Sequence, residues 1–358
     1  MGRPRSSTPT VRMIAEHAGV SPATVSRVIN GARSVSPEVA SLVRAAIDAL
    51  GGTGPTPRTR DPRPIADRVV FVRCPYVLTD YFGFIVSGIA EELRGSGWRV
   101  ELDAGNTAQS GHPLFALTQR PEVAGAITVL PTESPAELAH VAARMPLVVV
   151  DPRERLPAGI ATIGVNHAAA SRELAEHLVA LGHRRIGVIV GPREWSVSTA
   201  RRAGVRAALA DVGILHEDAL VRSIDPTFER GVAAAQELLS APDPPTALMC
   251  FNDKVATGAL RAASDLGLRV PKDLSLTGFD DLDVGHVTQP RLTTVRQPLD
   301  EMGRLAVLLL STLIDGRMPR TPTVELSTQV LLRESTGSAP RRRTTPTRGG
   351  PEEATARE

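Results

Sequence analysis

The sequence predicts an all-α unit at the N-terminus followed by an α/β domain built as two lobes. Three observations carry this. Residues 10–50 read as three short helices with capping residues in place. Residues 68–334 alternate apolar runs with amphipathic stretches, the pattern of βαβ units on parallel sheets, with too many units for one modest sheet. Between the two parts, residues 51–64 (GGTGPTPRTRDPRP) hold seven Gly or Pro and read as a linker.

The first helix is set by Val11, Ile14, Ala15 and Ala18, which fall at i, i+3, i+4 and i+7 on one face. Thr10 is its N-cap. Gly19 follows, where a helix end takes a left-handed residue. Ser21 caps a second helix, with Pro22 at its first position, where a missing N–H costs nothing. Val25, Val28 and Ile29 form the buried face of that helix, leaving Ala23, Thr24 and Arg27 on the other. Two short helices joined through Gly19, Val20 and Ser21 make a helix-turn-helix, whose second helix enters a DNA major groove N-terminus first. Ser36 and Pro37 repeat the cap for a third helix, on which Val39, Leu42, Val43, Ala46, Ile47 and Leu50 form an apolar stripe. A three-helix domain with no nucleic acid would show the same pattern. The charge leans toward DNA: residues 1–60 carry eight Arg, no Lys and three acids, although the whole chain has a net charge of only +2.

The run VRMIAEHAGVSPATVSRVINGARSVSPEVASLVRAAIDALG closely resembles the DNA-binding domain of the lactose-repressor (LacI/GalR) family, above all in AGVS-x-x-TVSRV-x-N-G. The resemblance implies that Pro22, Ala23 and Arg27 read bases and that Thr10, Ser21, Thr24, Ser26 and Asn30 hold phosphates. The chemistry agrees. Arg27 can donate two parallel bonds to guanine O6 and N7, and Ala23 can touch a thymine methyl. Short hydroxyl and amide side chains suit phosphate oxygens, which position without specifying. The family then has a hinge helix with a leucine wedge for the minor groove. Here Asp61 stands near the leucine position, and Pro55, Pro57 and Pro62 oppose a regular helix. Arg58 and Arg60 either lie in a narrow minor groove or belong to a solvated linker.

Beyond residue 67 the apolar runs include Arg68–Arg73, Gly125–Leu130, Pro146–Val150, Arg185–Val190, Ala247–Phe251 and Leu274–Gly278. Between them lie helical patterns such as Gly83–Arg94, Ala168–Leu181, Thr199–Asp211, Phe228–Ser240 and Val255–Leu266. Residues 177–191, 244–281 and 292–303 are similar to the family's effector domain, which implies a periplasmic-binding-protein-like fold with a ligand cleft at the carboxyl ends of strands. The candidate effector-binding residues are Phe82, Asp151, Trp195, Arg201, Asn252 and Asp280, with Asp253 and Asp281 in the same strand-end loops. Carboxylates, an amide and a guanidinium suit a polyhydroxylated ligand, such as a carbohydrate, and Trp195 and Phe82 supply ring faces. For each aspartate the bland alternative is a helix cap or a surface turn. Three stretches depart from the family: Thr79-Asp80-Tyr81-Phe82, Pro226 and Asn166-His167. They imply the family pocket with altered chemistry.

The expected domains are an unstructured arm (1–9), the helix-turn-helix (10–51), a Gly/Pro-rich hinge linker (52–66), the two-lobed sensor (67–335) and a disordered tail (336–358). No apolar run reaches 18 residues, and no secretion signal opens the sequence, so neither a membrane span nor export is expected. The chain is expected in the cytoplasm. Cys74 and Cys250 have neither metal-ligand spacing nor a disulfide framework. A transport protein that only binds solute is disfavoured by the helix-turn-helix. An enzyme is disfavoured because no Gly-rich phosphate loop, Gly-x-Ser-x-Gly elbow or His/Cys cluster occurs, and no cofactor is expected. The expected partners are a pseudo-palindromic double-stranded DNA operator, a small-molecule effector and a second copy of the chain, since symmetric dimers pair two half-sites. No leucine lies in residues 335–358 to build the tetramer tail of some relatives.

Replacing Arg27 with Ala should cost about 1–3 kcal/mol of operator binding and relax specificity at one position per half-site. Affinity measured on a panel of single-base operator variants checks this. A uniform loss across the panel would make Arg27 a phosphate contact instead.

Overall fold

The computed structural model describes residues 10–29, 36–50, 68–105, 113–317 and 322–340. The chain divides into two compact units, Met1–Pro64 and Ile65–Glu358. The arm of residues 1–9, the hinge of residues 52–66 and the tail beyond residue 340 lie outside the described residues.

The first unit holds α1 (Val11–Ala18), α2 (Pro22–Ile29) and α3 (Pro37–Ala49). The Thr10 hydroxyl accepts from Met13 N–H at 3.3 Å, and Gly19 closes α1 at φ 67° with its N–H on Ala15 O. Ser21 Oγ accepts from Thr24 N–H at 3.1 Å and lies 2.9 Å from Thr24 Oγ1. Ile14, Ala15, Val25, Val43 and Ala46 form the core, with Val11, Ala18, Val20, Val28, Ile47 and Leu50 against it.

The second unit has two α/β lobes. The first lobe begins with β1 (Val69–Cys74), α4 (Asp80–Leu93), β2 (Arg99–Ala104) and α5 (Pro113–Leu117). It continues through β3 (Val123–Val129), α6 (Pro135–Ala142), β4 (Leu147–Val150) and β5 (Ala161–Val165). The chain crosses at Asn166 into α7 (His167–Ala180), β6 (Ile186–Val190), α8 (Ser196–Ala210), β7 (Val221–Ser223) and α9 (Phe228–Leu239). There follow β8 (Ala247–Cys250), α10 (Asp253–Asp265), β9 (Ser275–Thr277), α11 (Asp283–Val287) and β10 (Thr294–Arg296). It returns to the first lobe for α12 (Leu299–Ile314) and β11 (Thr323–Leu326), then ends in the second with β12 (Gln329–Leu331).

The first sheet has the order β11-β5-β4-β3-β1-β2, with every pairing parallel. The second runs β7-β6-β8-β9, also parallel, beside an antiparallel β10-β12 pair. Parallel sheets are covered on both faces, so their strands read as unbroken apolar runs. In β1, Val70, Val72 and Cys74 join one core while Val69 and Phe71 join the other. The six apolar runs seen in the sequence are β1, β3, β4, β6, β8 and β9. Missing from that reading were β2, which is half exposed, and β5, β7, β10, β11 and β12, each of five residues or fewer. The helices α5, α6, α11 and α12 were not among the patterns named either.

The tail boundary at residue 336 needs correction. Ala339 N–H donates to Leu181 O at 2.9 Å, and Gly337 N–H donates to Ser275 Oγ at 3.1 Å. Gly337 O lies 3.1 Å from His183 Nε2. Ser275 and His183 are fully buried polar groups in the second lobe, and a buried polar group needs partners. They find them in the backbone of residues 336–340, which has no large apolar side chain to announce its attachment.

The helices α4 and α12 cross at two glycines. A Cβ on Gly88 would stand 2.1 Å from Asp300 O, and one on Gly303 would stand 2.2 Å from Ile85 O. No side chain fits at either point. The crossing fixes α4, whose first turn carries Tyr81 and Phe82. Gly303→Ala should therefore destabilise the second unit by about 1–3 kcal/mol through overpacking. Urea unfolding checks this; an unchanged midpoint would show that the helices part without cost.

Candidate functional site

A cleft of about 500 Å³ opens where the two lobes meet, among the loops that follow the parallel strands. From the first lobe come Tyr76 after β1, Leu130 after β3, Asp151 and Arg153 after β4, and the start of α4. From the second come Trp195 and Arg201 around the start of α8, Asp225 and Pro226 before α9, Phe251 and Asn252 after β8, and Asp280 after β9. Leu130, Asp151 and Asp280 adopt φ of 46°, 50° and 98°, a left-handed backbone that residues with a Cβ visit only under constraint. Such strain gathers where side chains must be aimed.

The floor of the cleft is a polar cluster assembled from both lobes. Arg201 is only 7 % exposed. Its Nη1–H donates to Phe251 O, Nη2 lies 3.4 Å from His167 Nδ1 and 3.8 Å from Asp280 Oδ1, and its guanidinium carbon sits 3.5 Å from the Phe279 ring centroid. Across the cleft, Asp151 Oδ2 accepts from Tyr81 O–H at 2.5 Å, and Oδ1 lies 3.1 Å from His167 Nε2. Asp280 Oδ1 accepts from Gln297 Nε2–H at 2.7 Å.

The two carboxylates sit in different electrostatic states. Burial pushes Asp151 up, but His167, the Tyr81 hydrogen bond and Arg201 outweigh it and hold the group below the usual range. At Asp280 burial wins over Arg201 and Gln297, and its carboxyl lies above the usual range. Burial, with Asp151 next, also pushes the Tyr81 phenol well up, so it stays a donor. The floor thus presents a permanent cation between two carboxyl groups shifted in opposite directions.

The walls are aromatic. Tyr76 stacks on Phe82 with centroids 4.5 Å apart and planes 7° apart, Tyr81 meets Phe82 edge-on at 5.1 Å, and Trp195 lies 6.0 Å from Phe251. Both tyrosines of the chain and one of its two tryptophans line this cleft. Flat apolar faces above a polar floor suit a ring with polar edges.

In the helical unit, Ser21, Pro22 and Thr24 stand at the N-terminal end of α2, the positive end of the helix dipole, with Thr24 N–H held by Ser21 Oγ. The backbone of Ala23, Ser26 and Arg27 falls within α2. Their side chains, and the whole of Asn30, lie outside the described residues.

Residues 10–51 match the bacterial regulatory proteins of the lacI family, and residues 175–336 match the periplasmic binding protein-like domain. The chain is 32 % identical over 338 residues to the transcriptional repressor CytR of Escherichia coli K12, covering 92 % of this chain and 97 % of that one. It is 31 % identical to the transcriptional regulator CelR of Thermobifida fusca, covering 92 % and 99 %. A solved structure of a CelR–cellobiose complex superposes with a TM-score of 0.68 at 31 % identity, covering 91 % of this chain and 99 % of that one. The chain belongs to the lacI family. It is a DNA-binding transcription regulator, with the helix-turn-helix and periplasmic-binding-protein-like architecture expected from the sequence.

Within this lacI-family regulator the cleft brings together all six effector-binding candidates: Phe82, Asp151, Trp195, Arg201, Asn252 and Asp280. Asn252 also does the blander work, its Oδ1 capping α10 through Val255 N–H at 2.9 Å. Asp281 turns out of the cleft to Arg333, Arg296 and His286. Not among the sequence candidates are Tyr76, Arg153, Glu194, Asp225 and Lys254 in the walls, while the partners Tyr81 and His167 lie in two of the stretches that depart from the family pattern. The scarcity of aromatic residues, 3 % of the chain, was a usable signal for Tyr76 and Tyr81. Nothing in the spacing marks Arg153.

Asp253 is a corrected candidate: it is fully buried behind the cleft. Its Oδ2 accepts from Leu282 N–H at 2.7 Å and its Oδ1 from Thr294 O–H at 2.7 Å, tying the Asp280–Leu282 loop to β10. Burial raises its carboxyl to about 8, more than the Thr294 hydrogen bond lowers it. An unfolded Asp titrates near about 3.9. The folded chain therefore keeps a proton that the unfolded chain has lost, and this contribution to stability fades as pH rises from about 4 to about 8. Asp253→Asn keeps an acceptor for Leu282 and cannot ionise, so it should flatten the decline of Tm between pH 5 and 8. Thermal melts across that range check this, and a slope unchanged from the parent would assign the dependence elsewhere.

Proposed function

We propose that this regulator is a repressor whose hold on a pseudo-palindromic operator is set by a polyhydroxylated small molecule, a sugar or related metabolite, bound between the lobes. One observation carries the reading: the Arg201–Asp280 and Asp151–His167 cluster, fed from both lobes, at the floor of an aromatic-walled cleft. A hydroxyl both donates and accepts. It can give to Asp151 and take from Arg201 at the same site. Because the floor draws on both lobes, a ligand there has different contacts in different lobe arrangements. That difference in affinity is what lets a ligand shift a conformational equilibrium. The CelR structure with cellobiose supports the carbohydrate class.

DNA contacts fall to Pro22, Ala23 and Arg27 for bases and to Thr10, Ser21, Thr24, Ser26 and Asn30 for phosphates. The working form is a homodimer in the cytoplasm, one helix-turn-helix per half-site.

An operator selected from random duplexes, titrated in gel shifts with cellobiose first and then a panel of sugars and nucleosides, tests the reading. Arg201→Ala and Asp280→Ala should each raise the effector concentration for half response at least about tenfold, the scale of a lost hydrogen bond to a charged group. Operator affinity without effector should stay at the parent value. A parent dose response in either variant would remove that residue from the effector site, and a panel without any effect would overturn the carbohydrate assignment.

A further inference from the structure

One flank of the cleft is bridged by a contact separate from the polar floor. Arg153 follows Asp151 by two residues in the first lobe. Its carbonyl accepts from Ser196 N–H of the second lobe at 2.7 Å, and Ser196 Oγ lies 3.4 Å from Pro152 O. Its guanidinium carbon lies 5.2 Å from the Tyr76 ring centroid and 5.1 Å from that of Trp195. Tyr76 belongs to the first lobe and Trp195 to the second, so one side chain is held by a ring from each. Arg153 Nε is buried and has no hydrogen-bond partner. A partly desolvated cation with an unanswered donor is costly unless something else attracts it. Ring faces do so through their quadrupoles, and a planar guanidinium is the cation best shaped to lie on them.

We propose that Arg153 is a latch that holds the two lobes together by binding the aromatic faces of Tyr76 and Trp195 at once. The carbonyl bond to Ser196 rides on that contact. A ring entering the cleft meets the same two faces, so ligand and latch compete. This last consequence rests on the proposed effector role of the cleft; the latch itself does not.

Ser196 reports on the latch directly. It is the first residue of α8, and first-turn N–H groups have no partner within their own helix. Its protection therefore comes from Arg153 O across the cleft. Amide exchange is measured by NMR on the full-length protein without effector. Arg153→Ala should speed exchange at Ser196 about tenfold while Val188 and Ile189 in β6 keep their rates. Tyr76→Leu, in the opposite lobe from Ser196, should do the same, and the double variant should exchange no faster than either single one. Millimolar guanidinium chloride should restore protection to Arg153→Ala, and sodium chloride should not. Unchanged exchange at Ser196 in Arg153→Ala overturns the proposal. So does faster exchange in β6 as well, or a double variant that adds the two effects. The measurement involves no effector, so a failed gel-shift panel and a failed latch remain distinct results.

Discussion

Arg201 is a cation that cannot shed its charge and is almost wholly withdrawn from water, and much of the second unit is arranged around that constraint. Removing a guanidinium from water costs several kcal/mol unless acceptors and faces replace the solvent. Here the replacements come from four directions: Phe251 O at the end of β8, the Phe279 ring after β9, the Asp280 carboxylate and the His167 ring. Each sits at or just past a strand end or a helix start, so the parallel sheet must deliver its loops to one spot. That is what a parallel sheet does, since all its strands end on the same side. The left-handed backbone of Asp280 fits the same demand, because it aims a carboxylate where an extended residue would not.

The constraint reaches the first lobe through His167. Its Nδ1 edge faces Arg201 and its Nε2 edge faces Asp151. A single imidazole therefore stands between the cation of one lobe and the anion of the other. Tyr81 closes the far side of Asp151, and the α4–α12 glycine crossing fixes where Tyr81 can be. A packing feature with no polar atom of its own thus governs the geometry of a polar site some way from it. Ligand chemistry and lobe geometry are joined at this floor, and a regulator needs that junction if a bound molecule is to be felt elsewhere.

Much of this was legible in the sequence, and the illegible part has physical reasons. Thr10, Ser21 and Ser36 announce the helices of the first unit because a cap is a local hydrogen bond, written within three residues of where it acts. The long central strands showed because burial on both faces leaves them mostly apolar, Arg73 in β1 and Thr128 in β3 being the exceptions. By contrast β7 and β10, three residues each, are strands only because a neighbour is there to pair with. Residues 337–340 attach through backbone groups, which carry no sequence. The six cleft candidates came from strand-end position and from resemblance; Arg153 carried neither signal, because what matters there is which two rings happen to face it.

The departures from the family pattern, which on sequence alone only cast doubt on the ligand, become coherent when placed in space. Thr79-Asp80-Tyr81-Phe82 and Asn166-His167 lie almost ninety residues apart and in different lobes, yet Tyr81 and His167 meet at one carboxylate. Asp151 takes one partner from each departure. Changing either alone would leave a buried charge short of a hydrogen bond, which costs more than the bond contributes when made. The two stretches are best understood as one alteration of the site, centred on Asp151. Its consequence is specific: both oxygens of Asp151 have a protein partner. A ligand hydroxyl that approaches this carboxylate must share it with Tyr81 or His167, or displace one of them. If it displaces His167, it breaks the link between the lobes that the imidazole provides. The altered chemistry of the pocket and the mechanical connection of the lobes are then the same set of atoms.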